Sequence, residues 1–376
     1  MLKKTICIMD TQIYSVIGGG QIFVKSLINY LHNEYNIIYI GESDEFSNLT
    51  NIKSIKPLKP FFYKMHLNKM HKIAKAIEKI CFKFPLIANI IIKKFNINAD
   101  IIISNSISDY LVIKANKRIE YNSAVIVKHH PYYEFNQKYP NYIIKNKKFV
   151  ILVESTTERE YQSKYYGKNV KVIYPPVKIK KRLFIKNVSN DLIEKTKDKK
   201  VILSIGRLSE NQKRFSKAIL SINELVKFEN KFIYIIVGDG PDKEKYQKLI
   251  DKLNLNNYVL LAGFINEDEK NFLLKKSKLL LITSDRETFG LTMAEALGFG
   301  VPVISTKTDG AKDFIKNGRN GLLVNPDEKE ISDKIKFLLN LDNKKYKKMQ
   351  NFAKKSFYKV NPHNFVKNIK NILNIL

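Results

Sequence analysis

Residues 284–302 read SDRETFGLTMAEALGFGVP and place two glutamates, Glu287 and Glu295, eight positions apart on either side of a Phe-Gly step, in a chain of formal net charge +30. An ionised glutamate only accepts hydrogen bonds, so its natural partners are cations and paired hydroxyls such as those of sugars and ribose. The strand pattern KLLLITS ends at Ser284, a loop follows to Gly290, and LTMAEAL has the spacing of a short helix with Gly298 placed to cap it. A helix that starts near Leu291 offers free backbone N–H groups and the positive end of its dipole, which favour an anion such as a diphosphate. In one continuous helix, residues eight apart differ by ~80° in azimuth and ~12 Å in height. With the Phe289-Gly290 turn between them, one acid can reach each end of an elongated ligand. Hydroxyls, diphosphate, hydroxyls is the layout of a sugar nucleotide.

Cations for such a diphosphate are expected at another strand end. GRLSENQKR sets Arg207 directly after the strand VILSIG and Lys213 one turn later, two basic groups able to neutralise two phosphates. The sequence contains no D-x-D pair of the kind that holds a divalent ion against a diphosphate, so the chemistry is expected to need no metal and no cofactor. G-x-G-x-x-G fails at both glycine clusters, where Phe23 and Lys243 stand in the third glycine's place, which argues against a nicotinamide dehydrogenase.

The elements that must hold these residues are legible as alternation. In the C-terminal half the apolar runs VILSIG, FIYIIVG, YVLLAG, KLLLITS, VPVIS and GLLV are separated by amphipathic stretches, and the N-terminal half repeats the theme with TICIMD, NIIYIG, ADIIISNS, SAVIVKHH, FVILVES and VKVIYPP. Continuous apolar strands separated by helices predict parallel sheets covered on both faces. The fold class expected is α/β, with two doubly wound, Rossmann-like domains over residues 1–178 and 179–356. A final helix over about 357–376 would pack back on the first. Pro175 and Pro176 with the polar stretch to about Lys200 read as the linker. Ligands of such sheets bind beyond the carboxyl ends of the strands, so the cleft between two such domains is the expected site. His129 and His130 fall at such an end and point to opposite faces, so one of the two enters the cleft.

Composition bounds the rest. The 376 residues are 44% hydrophobic and 27% charged, a globular balance. Cys7 and Cys81 form neither a CxxC nor a metal spacing, and Cys7 sits in an apolar strand pattern. MLKKTICIMD is too short for a leader's apolar region, and the longest apolar run, near 85–92, falls far below the roughly 18 residues of a membrane span, so a cytoplasmic location is expected. From Lys53 to Lys94, lysines alternate with Phe61, Phe62, Tyr63, Phe82 and Phe84, and Glu78 is the segment's one acid. Two readings stand for it: a peripheral contact with an anionic membrane at the inner face, or a helix with its apolar side in the core. No nucleic-acid module accompanies the charge, so nucleic acid is not an expected partner.

Taken together, GGGQIFVKSLINYL, VIYPPV, SIGRLSENQKR, IIVGDGP, LAGF and above all the Glu, seven residues, Glu signature at Glu287 and Glu295 resemble the family-four (group 1) retaining glycosyltransferases, across nearly the whole chain. The resemblance implies the GT-B fold, two facing Rossmann-like domains. It implies transfer of a hexose from a UDP- or GDP-sugar to a glycan or lipid-linked acceptor hydroxyl. Residue by residue it implies that Glu295 takes the ribose hydroxyls, that Glu287 contacts the transferred sugar, and that Arg207 and Lys213 stabilise the leaving diphosphate. The backbone of Phe289, Gly290 and Leu291 would meet sugar and phosphate, and Gly19 and Gly20 would admit the phosphates. Phe264 would lie where the base is held, and His129, two before a proline, or His130 near the reacting sugar. Gly238 and Asp239 are either nucleotide contacts or a tight strand-to-helix turn. Two rivals remain at this level, a sugar-nucleotide epimerase on the same fold and a non-enzymatic basic protein that binds membranes.

Overall fold

The computed structural model describes residues 3–10, 19–41, 46, 49, 51–55, 96–105, 119–128, 148–179 and 184–376, with the side chains of 19–22 and 128 left aside. The chain divides into one unit of Met1–Pro176 with Phe365–Leu376 and another of Val177–Asn364.

In the first unit, β1 (Thr5–Asp10), β2 (Asn36–Gly41), β3 (Ile52–Ile55), β4 (Ile97–Ser104), β5 (Ile119–Lys128), β6 (Lys148–Val153) and β7 (Val170–Val172) form one sheet in the order β3-β2-β1-β4-β5-β6-β7, with every pairing parallel. Side chains alternate faces along a strand, and β1 shows it. Ile6 and Ile8 join the cluster built with Phe23, Val24, Leu27, Ile28 and Leu31 of α1 (Gly19–Leu31), while Cys7 and Met9 join the opposite cluster with Tyr166 of α2 (Thr156–Tyr166). Burial pushes the Cys7 thiol up to about 12, so it is inert packing, as its strand pattern suggested.

The second unit begins with α3 (Asn190–Thr196) and continues as β8 (Lys200–Ile205), α4 (Phe215–Leu225), β9 (Phe232–Val237), α5 (Lys243–Lys252), β10 (Val259–Gly263), α6 (Glu267–Lys276), β11 (Ser277–Ile282), α7 (Leu291–Phe299), β12 (Val303–Thr306), α8 (Asp309–Phe314), β13 (Gly321–Val324), α9 (Glu328–Leu339) and α10 (Asn343–Ser356). Its sheet is parallel throughout, in the order β10-β9-β8-β11-β12-β13. Fully buried Ile202, Tyr234, Ile236, Leu279 and Ile304 pack against Ile219 and Ile222 of α4 and Ile335 and Leu338 of α9. The last helix, α11 (Pro362–Ile375), returns to the first unit. There Phe365, Ile369, Ile372 and Leu373 make its buried stripe, and Phe365 meets Phe23 edge to face at 5.4 Å.

Three details differ from the sequence expectation. The basic segment opens with a strand, since Lys53 to Ile55 belong to β3, with Ile55 buried and Lys53 exposed on the sheet's edge; the rest of the segment, from 56 on, lies outside the described residues. Part of the stretch read as linker is helical, because α3 buries Leu192 and Thr196 in the second unit. The final segment crosses at Asn364/Phe365, and residues 357–364 stay with the second unit. Among the described residues no helix is long and apolar enough to cross a membrane.

Candidate functional site

The second sheet reverses direction between β8 and β11. From β8 the chain moves outward to β9, from β11 outward to β12, so no connection covers the carboxyl ends of these two neighbours. The loops that follow them are fastened together. The Thr283 hydroxyl donates to the carbonyls of Lys213 and Arg214, at 3.0 and 3.1 Å, and the Asp285 amide donates to the Gln212 carbonyl at 2.8 Å. Arg214, held at φ 50° as it leads into α4, pairs Nη2 with Asp285 Oδ1 at 2.8 Å. These bonds leave Lys213 Nζ 2.8 and 2.9 Å from the two oxygens of Glu287, with the two side chains only 16% and 15% exposed. The lysine stem runs over Gly206, where an added Cβ would stand 3.2 Å from Cε. Arg207 is exposed and, among the described residues, makes no ion pair.

Gly290 (φ 84°) leads into α7 with no side-chain cap. The amides of Leu291, Thr292 and Met293 have no carbonyl one turn back, and no acid sits in the first turn, so a helix N-terminus stands open beside the Lys213–Glu287 pair. Phe289 contributes backbone only, because its ring is buried edge to face on Phe314 at 5.4 Å. The loop rests on α8: the Gly310 amide donates to the Glu287 carbonyl at 3.0 Å, and a Cβ at Gly310 would fall 2.2 Å from the Phe289 carbonyl oxygen. The expected helix cap is corrected. Gly298 lies inside α7, tight against Ile179 and Phe357, and the residue in the left-handed conformation that ends the helix is Gly300 at φ 80°.

Glu295, on the second turn of α7, pairs with Lys270 of α6, Nζ to Oε1 at 2.7 Å. Phe264 is 85% exposed on the loop after β10. At the end of β9 the glycines answer a steric demand. Gly238 (φ 133°) would put a Cβ 2.0 Å from the Gly206 carbonyl oxygen, and Gly240 would put one 2.4 Å from that of Leu208. The Leu208 amide donates to the Asp239 carbonyl at 2.9 Å, and the Asp239 carboxylate accepts from the Gly240 amide at 2.9 Å. Seven of the expected residues thus gather around the carboxyl ends of β8 and β11: Arg207, Lys213, Glu287, Phe289, Gly290, Leu291 and Glu295. Gly238, Asp239 and Phe264 fall at the neighbouring ends of β9 and β10. Gly19 and Gly20 open α1 in the first unit, and His129 and His130 lie outside the described residues.

Sequence reasoning missed Thr283, Asp285, Arg214 and Lys270. Asp285 and Arg214 stood inside the quoted motifs, but Lys270 carried no signal beyond being one of many lysines. It also missed a buried pair in the first unit, Asn105 Nδ2 donating to Asp10 Oδ1 at 3.0 Å where β4 and β1 end, the reversal point of that sheet. Among the described residues no cluster of His, Cys, Asp and Glu is arranged for a metal ion.

Residues 189–356 match the family model of glycosyl transferases group 1. The second unit is a group 1 glycosyltransferase domain. The chain is 32% identical over 145 residues to 2-deoxystreptamine N-acetyl-D-glucosaminyltransferase of Niallia circulans, covering 38% of this chain and 37% of that protein. It is 29% identical over 175 residues to alpha-monoglucosyldiacylglycerol synthase of Acholeplasma laidlawii, covering 46% and 40%. The match therefore spans about two fifths of these relatives' own length. The crystal structure of HepE from Anabaena in complex with UDP and glucose superposes with a TM-score of 0.72 over 99% of this chain and 100% of that one, at 18% identity. Its fold is shared, and the fold class of this chain is GT-B.

The geometry of the glycine turn makes a prediction. Gly238→Ala destabilises the glycosyltransferase domain by about 2–4 kcal/mol, because it adds a steric clash to a positive φ. Gly263→Ala, at φ 67° with open space around it, costs only about 1 kcal/mol. Urea unfolding of the two variants checks the difference.

Proposed function

We propose that the chain transfers a hexose from a UDP- or GDP-sugar to an acceptor hydroxyl, with retention at the anomeric carbon. The observation that carries this reading is the Lys213–Glu287 pair beside the uncapped N-terminus of α7, with Glu295 a turn further along the same helix. In this reading the diphosphate lies against the amides of Leu291 and Thr292, Lys213 and the exposed Arg207. The ribose hydroxyls donate to Glu295, and the sugar hydroxyls meet Glu287 and the backbone of Phe289 and Gly290.

The bond from the anomeric carbon to the phosphate oxygen breaks, and its electron pair leaves on that oxygen. The acceptor oxygen bonds the anomeric carbon from the same face, and the acceptor's proton passes to the departing phosphate. The products are the glycoside and the nucleoside diphosphate. No enzyme carboxylate is needed as a nucleophile. Charge that grows on the leaving group is met by fixed cations and amide dipoles that need little reorganisation, which is where such a site gains most of its rate. With protein cations in that role, no metal is required.

A glycan or lipid-linked acceptor fits the chain's strongly basic character, and a lipid-directed relative, the monoglucosyldiacylglycerol synthase, supports the lipid form. The segment from Lys53 to Lys94 is then a peripheral anchor on an anionic, cytoplasm-facing membrane.

A thermal-shift panel of UDP, GDP and their hexoses tests the donor. The right nucleotide raises the melting temperature by about 5 °C at a hundredfold excess over Kd. Release of nucleoside diphosphate then falls by about a hundredfold or more in Arg207→Ala and Glu287→Ala, and persists for the wild type in excess chelator. Full turnover in either variant, or no shift with any nucleotide, overturns the reading. A new sugar nucleotide formed without acceptor identifies an epimerase instead. Neutralising the lysines between 53 and 94 abolishes sedimentation with phosphatidylglycerol vesicles; unchanged sedimentation removes the anchor.

A further inference from the structure

Lys270 is unlike most of the described lysines in lying half-buried, 27% exposed, against a carboxylate that is itself 20% exposed. Its helix is fixed where Lys270 leaves it. The first turn of α6 closes as a capping box, the Asn266 side chain accepting from the Glu269 amide and the Glu269 side chain from that of Asn266. Asp268 and Glu269 also accept from the Phe184 amide, Asn187 Nδ2 and the Ser189 amide, at 3.3, 2.7 and 3.2 Å, and Asn266 Nδ2 donates to the Asn187 carbonyl at 3.0 Å. Lys270 follows at the fourth position of a helix thus tied down on its first turn.

Lys270 Nζ reaches Oε1 of Glu295 alone, which leaves Oε2 and the remaining lone pair of Oε1 as acceptors. A glutamate on a helix surface otherwise samples several rotamers, and ordering it to receive two hydroxyls would cost part of the binding energy. The ammonium also neutralises the carboxylate, so an acid can stand near a diphosphate without repelling it. Lys213 stands in the same relation to Glu287.

From this geometry we infer that Lys270 is a positioning residue: it presets the Glu295 carboxylate for the vicinal hydroxyls of the donor's ribose, and so sets the preference for ribonucleotides over deoxyribonucleotides. The inference rests on the reading of Glu295 given under the proposed function.

Calorimetric titration with UDP and 2′-deoxy-UDP, or with GDP and 2′-deoxy-GDP if the wild type binds GDP more tightly, tests it without any acceptor. The wild type prefers the ribonucleotide by about tenfold or more, the worth of a charge-assisted hydrogen bond. Lys270→Ala loses about tenfold in affinity for the ribonucleotide and little for the deoxy form, so the ratio falls toward one. Lys270→Arg, which can still place an N–H on Oε1, restores most of the ratio. Equal weakening of both nucleotides by Lys270→Ala shows a general cation acting on phosphate and overturns the inference. So does an unchanged ratio with unchanged affinities. A wild type that binds neither UDP nor GDP overturns the reading of the site itself, and this assignment with it.

Discussion

The site depends on one ion pair made across a sheet reversal. Lys213 belongs to the loop after β8 and Glu287 to the loop after β11, and these are the two adjacent strands from which the chain departs in opposite directions. Helices cover the faces of a parallel sheet, but nothing in the connectivity covers the ends of such a pair. The loops are drawn together by Thr283, Arg214 and Asp285, and the lysine then lies over Gly206, whose missing side chain makes the room. The same pairing resolves an electrostatic conflict. Two acids would repel a diphosphate, yet each has a lysine at hydrogen-bond distance, so the locality presents hydrogen-bond acceptors without net negative charge.

Backbone shape supplies the rest. Gly238 must pass within van der Waals distance of the Gly206 carbonyl, Gly310 within that of the Phe289 carbonyl, and Gly290 must turn at positive φ so that α7 begins without a cap. Gly238 and Gly310 each set where a loop after one strand meets a loop after another. Gly238, Gly290 and Gly310 all stand at the sheet's carboxyl edge, where the open amides of α7 are also found. An ordinary Ser or Asp cap on α7 would have taken up one of those amides internally and left fewer for an anion.

Much of this was legible in the sequence because strand ends are legible. A buried parallel strand is a run of apolar residues, and the first polar residue after it marks a carboxyl end; Arg207, Glu287 and Gly238 were found that way. The elements that escaped have weak or mixed patterns. β3 reads IKSI, four residues with one fully buried, and merges into the lysines that follow. α3 is a seven-residue helix in a polar stretch, betrayed only by Leu192. In LGFGV both glycines are plausible caps, and only the length of α7 decides for Gly300, since the left-handed residue must follow the last helical turn. Lys270 was invisible for a different reason: its role comes from the packing of α6 beside α7, a relation between elements that no local spacing encodes.

The central claim is that one extended ligand lies along α7, its diphosphate at the helix N-terminus and its two ends at Glu287 and Glu295. Crystals grown with the nucleotide sugar that most stabilises the protein test it most directly. Electron density is expected for the β-phosphate within hydrogen-bond distance of the Leu291 or Thr292 amide and for both ribose hydroxyls on the Glu295 carboxylate. A nucleotide bound with its phosphates away from α7, or with its ribose out of reach of Glu295, would contradict the account.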